Sequence, residues 1–316
     1  MLNLSNIDKE QQRKMFLSED EIKKQVQIFM AKIASDSAYE ASFIKNTISR
    51  AGGLPERIFF IESAPRLMPL ARNQILEQTQ KGSSHYCCAC WWANSLSMAR
   101  GRMGRKWWSP SGGLYLCISL FPQLLPENRV LYSLSIGLAA CQCLCSLGVK
   151  ARIRWINDVL IGDKKVCGIL SQTVSTPKTQ EEYLLFGIGI NVNVSSFPKE
   201  LEAIATSVRL ESGRKWSILK VGSNLLARAI FNFSMLHEWE SRCLREGLTF
   251  RETENPVISQ YRKFADLENK RVLYGRDLEQ GKGICCVSRG ITEKGFLILE
   301  RHGEIFKVES GEIRFL

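Results

Sequence analysis

Histidine is scarce in this chain: three in 316 residues, at positions 85, 237 and 302. None falls at ligand spacing near a second cysteine cluster. The eleven cysteines, including Cys87, Cys88 and Cys90 and then Cys141, Cys143 and Cys145, therefore read as buried thiols rather than a zinc site. No uninterrupted apolar run reaches the roughly 18 residues that a membrane helix needs. The start, Met1 to Glu21, is polar and charged and lacks a secretory pattern, so a cytoplasmic protein with reduced thiols is expected. No G-x-G-x-x-G opens a helix, which disfavours a dinucleotide fold. No internal repeat or low-complexity tract is present. Residues 1–55 show no convincing helix-turn-helix and wing, so DNA binding is not expected.

What is present is ordinary bulk with an unusual distribution of charge. Hydrophobic residues make up 45% and charged residues 24%. At roughly 150 residues per domain, the length suggests about two domains. Net charge is +11. Such a balance suits nucleic acid, a nucleotide substrate or an acidic partner, so its placement matters more than its sum. The densest basic stretch is Arg100 to Lys106, interleaved with glycine.

Residues 1–56 read as a helical extension. Ile22, Val26, Ile28, Phe29 and Ile33 recur at helical spacing within Ser18–Ser35, and a second short helix covers Tyr39–Arg50. Gly52, Gly53 and Pro55 mark a break. Strands are then predicted at Ile58–Ile61, Tyr86–Ala93, Leu114–Phe121, Arg152–Trp155, Val159–Ile161, Lys165–Ser171 and Leu184–Val194. Helices are predicted at 66–80, Ser133–Leu147 and Leu219–Arg245. From Lys270 onward, five short strands within about fifty residues suggest a small barrel.

Three segments carry candidate chemistry. In Ala99 to Tyr115, glycines expose backbone N–H groups, arginines supply planar donors for phosphate, and an indole can stack on a base. That suits a loop folding over a nucleotide; a solvated basic loop is the alternative. In Arg154-Trp-Ile-Asn-Asp158 and Asp163 to Leu170, an amide and a carboxylate end a strand and Lys165 enters the next. Asn can read an adenine edge, Asp can hold Mg²⁺, and Lys can neutralise a carboxylate or phosphate. An ordinary turn with a surface lysine is the alternative. In Gly187-Ile-Gly-Ile-Asn-Val-Asn193, alternating glycines permit close approach of a ligand or merely relieve crowding.

Together these segments resemble the biotin–protein ligase family, whose pattern is G-R-G-R-x-G-R-x-W-x-S-P-x-G, K-W-P-N-D, D-x-K-x-x-G-I-L and G-x-G-I-N-x-N. The resemblance runs from about Ile58 to Leu316. It includes Tyr261-Arg-Lys263, Gly275, Ser288-Arg-Gly290 and Gly311-Glu-Ile313. Departures are Ser63-Ala-Pro65 for Ser-Thr-Asn, Leu96 for a glutamine, Ala99 for the loop's first glycine, and Arg154 and Ile156 in the K-W-P-N-D run.

The resemblance implies an α+β fold: a mixed sheet with helices on one face, like class II aminoacyl-tRNA synthetases, and a C-terminal SH3-like barrel. It divides the chain into an extension (1–56), a biotin- and ATP-binding catalytic domain (57–265) and the barrel (266–316). It implies ATP-dependent formation of biotinyl-5'-AMP, then transfer to a lysine of a biotin carboxyl carrier protein. The implied catalytic residues are Lys165, Arg102 and Arg105. Biotin would contact Ser63, Arg100, Gly101, Lys165, Gly168 and Gly189. ATP would contact Arg102, Arg105, Trp107, Asn157, Asp158, Gly187 and Asn191, with Asp158 near Mg²⁺. A homodimer is allowed. A lipoate ligase and a degenerate biotin-binding protein are the alternatives.

Overall fold

The computed structural model describes residues 9–37, 39–50, 55–81, 88–177, 180–250, 253–281 and 283–316. His85, Tyr86, Cys87 and the Gly52-Gly53 break lie outside them.

Two helices, α1 (Lys9–Ser35) and α2 (Ala41–Arg50), precede the first strand. A seven-stranded sheet follows, built from β1 (Arg57–Ala64), β2 (Ala89–Leu96), β3 (Leu114–Leu120), β4 (Ala151–Arg154), β5 (Asp158–Ile161), β6 (Lys164–Ser175) and β7 (Glu182–Ile190). Its order is β1-β2-β3-β7-β6-β5-β4. Only β1 and β2 run parallel; every other neighbour is antiparallel, so the sheet is mixed.

Strand alternation sorts the side chains into two cores. Cys90 and Trp92 of β2, Leu116 and Ile118 of β3, and Phe186 and Ile188 of β7 face α4 (Val130–Ser146) and α6 (Ile218–Glu246). Trp91, Tyr115, Cys117, Tyr183 and Leu185 face the other way and pack on Leu67, Ala71 and Ile75 of α3 (Leu67–Gln80). Helices thus cover both faces, and the expectation of helices on one face is corrected. The short α3 protects only one end of its face, leaving β5 and β6 open beside it.

Helix α6 is bounded by local chemistry. The Ser217 hydroxyl accepts from Lys220 N, and Gly247 ends the helix at φ +66°. Ile22 and Val26 of α1 are buried in the same core as α6. Among the described residues, Pro126–Ser146 is long and apolar enough to cross a membrane by length and composition. It is instead mostly buried in the protein as the core helix between sheet and α6.

Two further short helices, α5 (Val208–Ser212) and α7 (Pro256–Ala265), lead to the barrel. Asn255 caps α7 by accepting from Val257 N and Ile258 N, with Pro256 at its first position. Strands β8 (Glu268–Gly275), β9 (Ile284–Ile291), β10 (Leu297–Arg301), β11 (Glu304–Val308) and β12 (Glu312–Phe315) form a five-stranded antiparallel sheet in the order β11-β10-β9-β8-β12. This arrangement is consistent with an SH3-like unit. All five predicted barrel strands are present. Helix α5 escaped sequence reading because five residues are too few to show a periodic apolar stripe, and α7 because it reads as the lead-in to the barrel.

Candidate active site

A cavity of about 830 Å³ opens beside α3, over β5, β6 and β7 and against the barrel. Its floor follows from the alternation of β7. Gly187 and Gly189 occupy the strand face that Tyr183 and Leu185 fill further back. A Cβ on Gly189 would lie 2.6 Å from the Trp107 indole nitrogen, and one on Gly187 2.7 Å from the Met68 sulfur. On neighbouring β6, a Cβ on Gly168 would meet Lys165 Cε at 3.1 Å and Trp107 Cζ3 at 3.2 Å. The glycines are therefore the condition for the indole to lie flat on the sheet. The Trp107 Nε1–H is buried with no hydrogen-bond partner among the described residues.

Lys165 lies beside this indole, its ammonium 5.2 Å from the ring centroid. The same nitrogen is 2.5 Å from Asp158 Oδ1, while Arg154 Nη2 donates to Asp158 Oδ2 at 2.5 Å. Burial pushes the Asp158 carboxyl upward, but the charges of Lys165 and then Arg154 outweigh it and hold the group below its ordinary value. One carboxylate thus fixes two cations at the cavity wall.

The basic segment forms a hairpin that leaves β2 at Leu96 and returns at Ser109, where Leu96 N donates to Ser109 O. Arg100 and Lys106 pair as an antiparallel bridge, and Trp107 N donates to Ala99 O. The tip turns through Met103 at φ +53° and Gly104 at φ +73°. Two arginines tie this hairpin across the cavity. Arg102 Nη1 donates to Asn157 Oδ1 at 3.2 Å and to Gly311 O at 2.8 Å. Arg105 forks onto Glu312 at 2.7 and 3.0 Å and reaches Asp277 at 2.5 Å and Glu279 at 3.1 Å. Barrel carboxylates therefore latch the hairpin shut.

Lys165, Arg100, Gly101, Arg102, Arg105, Trp107, Asn157, Asp158, Gly168, Gly187, Gly189 and Asn191 all line the cavity. Their local settings differ. Arg100 is exposed and donates to Gly104 O within its own hairpin. Asn157 spends its amide on Ile169 O and its oxygen on Arg102, so it braces β6 against the hairpin. Asn191 is buried, donates to Thr206 O, and leaves Oδ1 without a partner among the described residues. Ser63 is not brought in: it is exposed on edge strand β1 and accepts from the Ser95 hydroxyl. Sequence reasoning also missed Met68, Tyr115, Leu170, Gln172, Arg152, Glu279 and Glu312 among the lining residues. Glu312 had a signal as the middle of Gly311-Glu-Ile313, and Tyr115 and Leu170 as the ends of two of the quoted segments.

The site is thus a mixed sheet with a glycine floor, closed by a cationic hairpin that the small barrel latches. Residues 97–191 match the model of the Biotin/lipoate A/B protein ligase family. The bifunctional ligase/repressor BirA of Escherichia coli is 32% identical over 219 residues, 68% of this chain and 62% of that one. The corresponding protein of Bacillus spizizenii is 30% identical over 70% of this chain and 64% of its own length. The matches thus span less than two thirds of either relative. The biotin protein ligase of Aquifex aeolicus, solved with biotin and ATP, superposes with a TM-score of 0.64 at 23% identity, covering 83% of this chain and 99% of that one. Residues 97–191 thus carry the pattern of the Biotin/lipoate A/B protein ligase family, and the chain as a whole is similar to these ligases in sequence and fold.

Proposed function

We propose that the protein joins biotin to AMP at the expense of ATP and passes the biotin to a lysine of a biotin carboxyl carrier protein. The observation that carries this reading is the pairing of Lys165 with Asp158 beside an indole laid on Gly168 and Gly189. In the first step a carboxylate oxygen of biotin attacks the α-phosphorus and pyrophosphate leaves. Two anions must meet, and a fixed ammonium at the cavity wall lowers their repulsion. Asp158 holds Lys165 in place. The buried Trp107 N–H is free to donate to a ligand acceptor, and the indole face offers a surface for the adenine. Arg102 and Arg105 act through the hairpin: latched, it keeps water from the mixed anhydride. In the second step the acceptor amine attacks the biotinyl carbonyl and AMP leaves.

Asp158 does not fit as a metal ligand in this arrangement. Both of its oxygens face cations, and no group of three metal-capable side chains exists among the described residues. Magnesium belongs to this reading as the counter-ion arriving with the triphosphate, and no step is routed through it. In the same reading, residues 57–265 hold the substrates, residues 266–316 close the site, α1 and α2 of the 1–56 extension widen the helical layer, and the setting is the cytoplasm.

A second reading, capture of biotin without chemistry, draws on the apolar Leu96 at the cavity and the displacement of Ser63 from it. One assay separates them: labelled biotin, ATP and Mg²⁺ with an isolated acceptor domain. Ligase activity gives label on the acceptor and stoichiometric AMP. Retention of biotin with no AMP selects the second reading, and exchange with lipoate in place of biotin refutes both.

A further inference from the structure

A second cleft, of about 500 Å³, lies in the helical layer behind the sheet, where α1 crosses α4 and α6. It shares no lining residue with the catalytic cavity. Its walls are largely apolar and partly aromatic: Phe29 and Ile33 from α1, Leu138 from α4, Phe231 and Met235 from α6. Its polar groups converge from the same helices. Gln142 accepts from Asn232, and Asn224 donates to the Ser146 hydroxyl.

Arg228 sets the character of the cleft. It is half-buried in α6, and its Nε donates to Asn224 Oδ1 at 3.0 Å. No carboxylate lies within ion-pair distance of it among the described residues; Asp36 acts on it only from farther away, as do the thiols of Cys143 and Cys145. Burial pulls the guanidinium below its ordinary value, and the more distant Cys143, Cys145 and Asp36 offset that cost only in part. Lys32 and Lys220 stand at the rim against the single acid Asp36, which leaves the lining net positive. A cleft of this volume, apolar with a few convergent polar groups and one unpaired cation, has the usual make-up of a small-molecule site.

We propose that this cleft binds a small amphipathic organic monoanion, with its anionic head on Arg228 and an aromatic or alicyclic body between Phe29, Phe231 and Met235. The site is separate from the ligase chemistry and does not depend on it.

The probe is 8-anilinonaphthalene-1-sulfonate, titrated by fluorescence into the full chain, with uncharged 1-anilinonaphthalene as its neutral counterpart. A single saturable site is expected, with the neutral compound at least about tenfold weaker, as one lost charge-assisted contact predicts. Arg228→Gln should weaken the anion about tenfold with an unchanged melting temperature, and Arg228→Lys should recover most of it. Lys165→Ala, in the other cavity, should leave it unchanged. If Arg228→Gln does not fold, Leu147→Trp at the cleft wall serves instead and should block the probe by filling the space. Equal binding by the neutral compound, undiminished binding in folded Arg228→Gln or Leu147→Trp, or loss of binding in Lys165→Ala each overturns the proposal.

Discussion

Lys165 enters the cavity as the second residue of β6, with its ammonium 2.5 Å from one oxygen of Asp158 and Arg154 on the other. Replacing it with alanine removes the ammonium but leaves Asp158 paired with Arg154, so the fold should survive. Biotinyl-AMP formation in Lys165→Ala should fall about 100- to 1000-fold with little change in melting temperature; undiminished pyrophosphate exchange would sink the role. Asp158 also makes a pH statement. Its folded value is depressed below the ordinary 3.8, so its ionised form stabilises the fold above pH 3.8 and that contribution disappears as pH falls further. Asp158→Asn should therefore flatten the loss of melting temperature below about pH 4, and parallel curves for the two proteins would contradict the pairing. The floor glycines give a graded test. At Gly189 an added methyl meets a rigid indole, whereas at Gly187 it meets the flexible end of Met68. Gly189→Ala should weaken ATP on the order of tenfold or more, and Gly187→Ala clearly less; equal effects would remove Trp107 from the nucleotide site. Most of these residues were legible because glycine spacing and charge sit in contiguous motifs. Ser63 was not, because its placement depends on which way β1 alternates: Ala64 turns inward and Ser63 outward.

At the scale of elements, the basic hairpin is held by a partner 207 residues away. Arg105 alone spans Glu312, Asp277 and Glu279, while Arg102 reaches Gly311 O. Each ion pair is partly exposed and modest by itself, yet several converge on one planar guanidinium. Glu312→Gln should loosen the hairpin without unfolding the barrel, since Glu312 lies at the strand start and its backbone pairing with Gly275 is unaffected. Limited trypsinolysis reads this directly, because Arg100, Arg102, Arg105 and Lys106 are all in the hairpin. Cleavage there should quicken several-fold, and saturating biotin and ATP should restore protection; an unchanged rate would show that the latch does not hold the hairpin. The sequence showed a mobile cationic element but not its acidic counterpart. Charge pairs between distant segments leave no periodicity, and Glu279 and Asp277 sit in an unremarkable polar turn. The helices tell the opposite story: Ile22, Val26 and Ile33 announced α1 through spacing alone, and Ile22 and Val26 are buried against the long α6.

For the whole molecule, the question is whether the barrel is a separate body or part of one. Element type changes near residue 266, and that change was visible as a switch from helical spacing to short strands. The apolar core does not change there. Val272, Ile291, Leu297, Leu299 and Ile313 of the barrel belong to the same buried cluster as Leu134 of α4, Ile153 of β4 and Ile258 of α7. Trp155, fully enclosed after β4, donates its indole N–H to Gly295 O at 3.1 Å. Gly295 itself adopts φ +78° directly under Leu134, where a Cβ would collide with that side chain. An interface built from a shared core and a buried hydrogen bond transmits unfolding, whereas a polar linker interface would not. Differential scanning calorimetry should therefore show one cooperative transition for the sheet and barrel together. Gly295→Ala, which strains the left-handed backbone and pushes on Leu134, should lower the temperature of that single transition rather than split it. Two resolved peaks, with only the smaller one moved by the substitution, would mean that the barrel folds by itself and merely rests against the sheet.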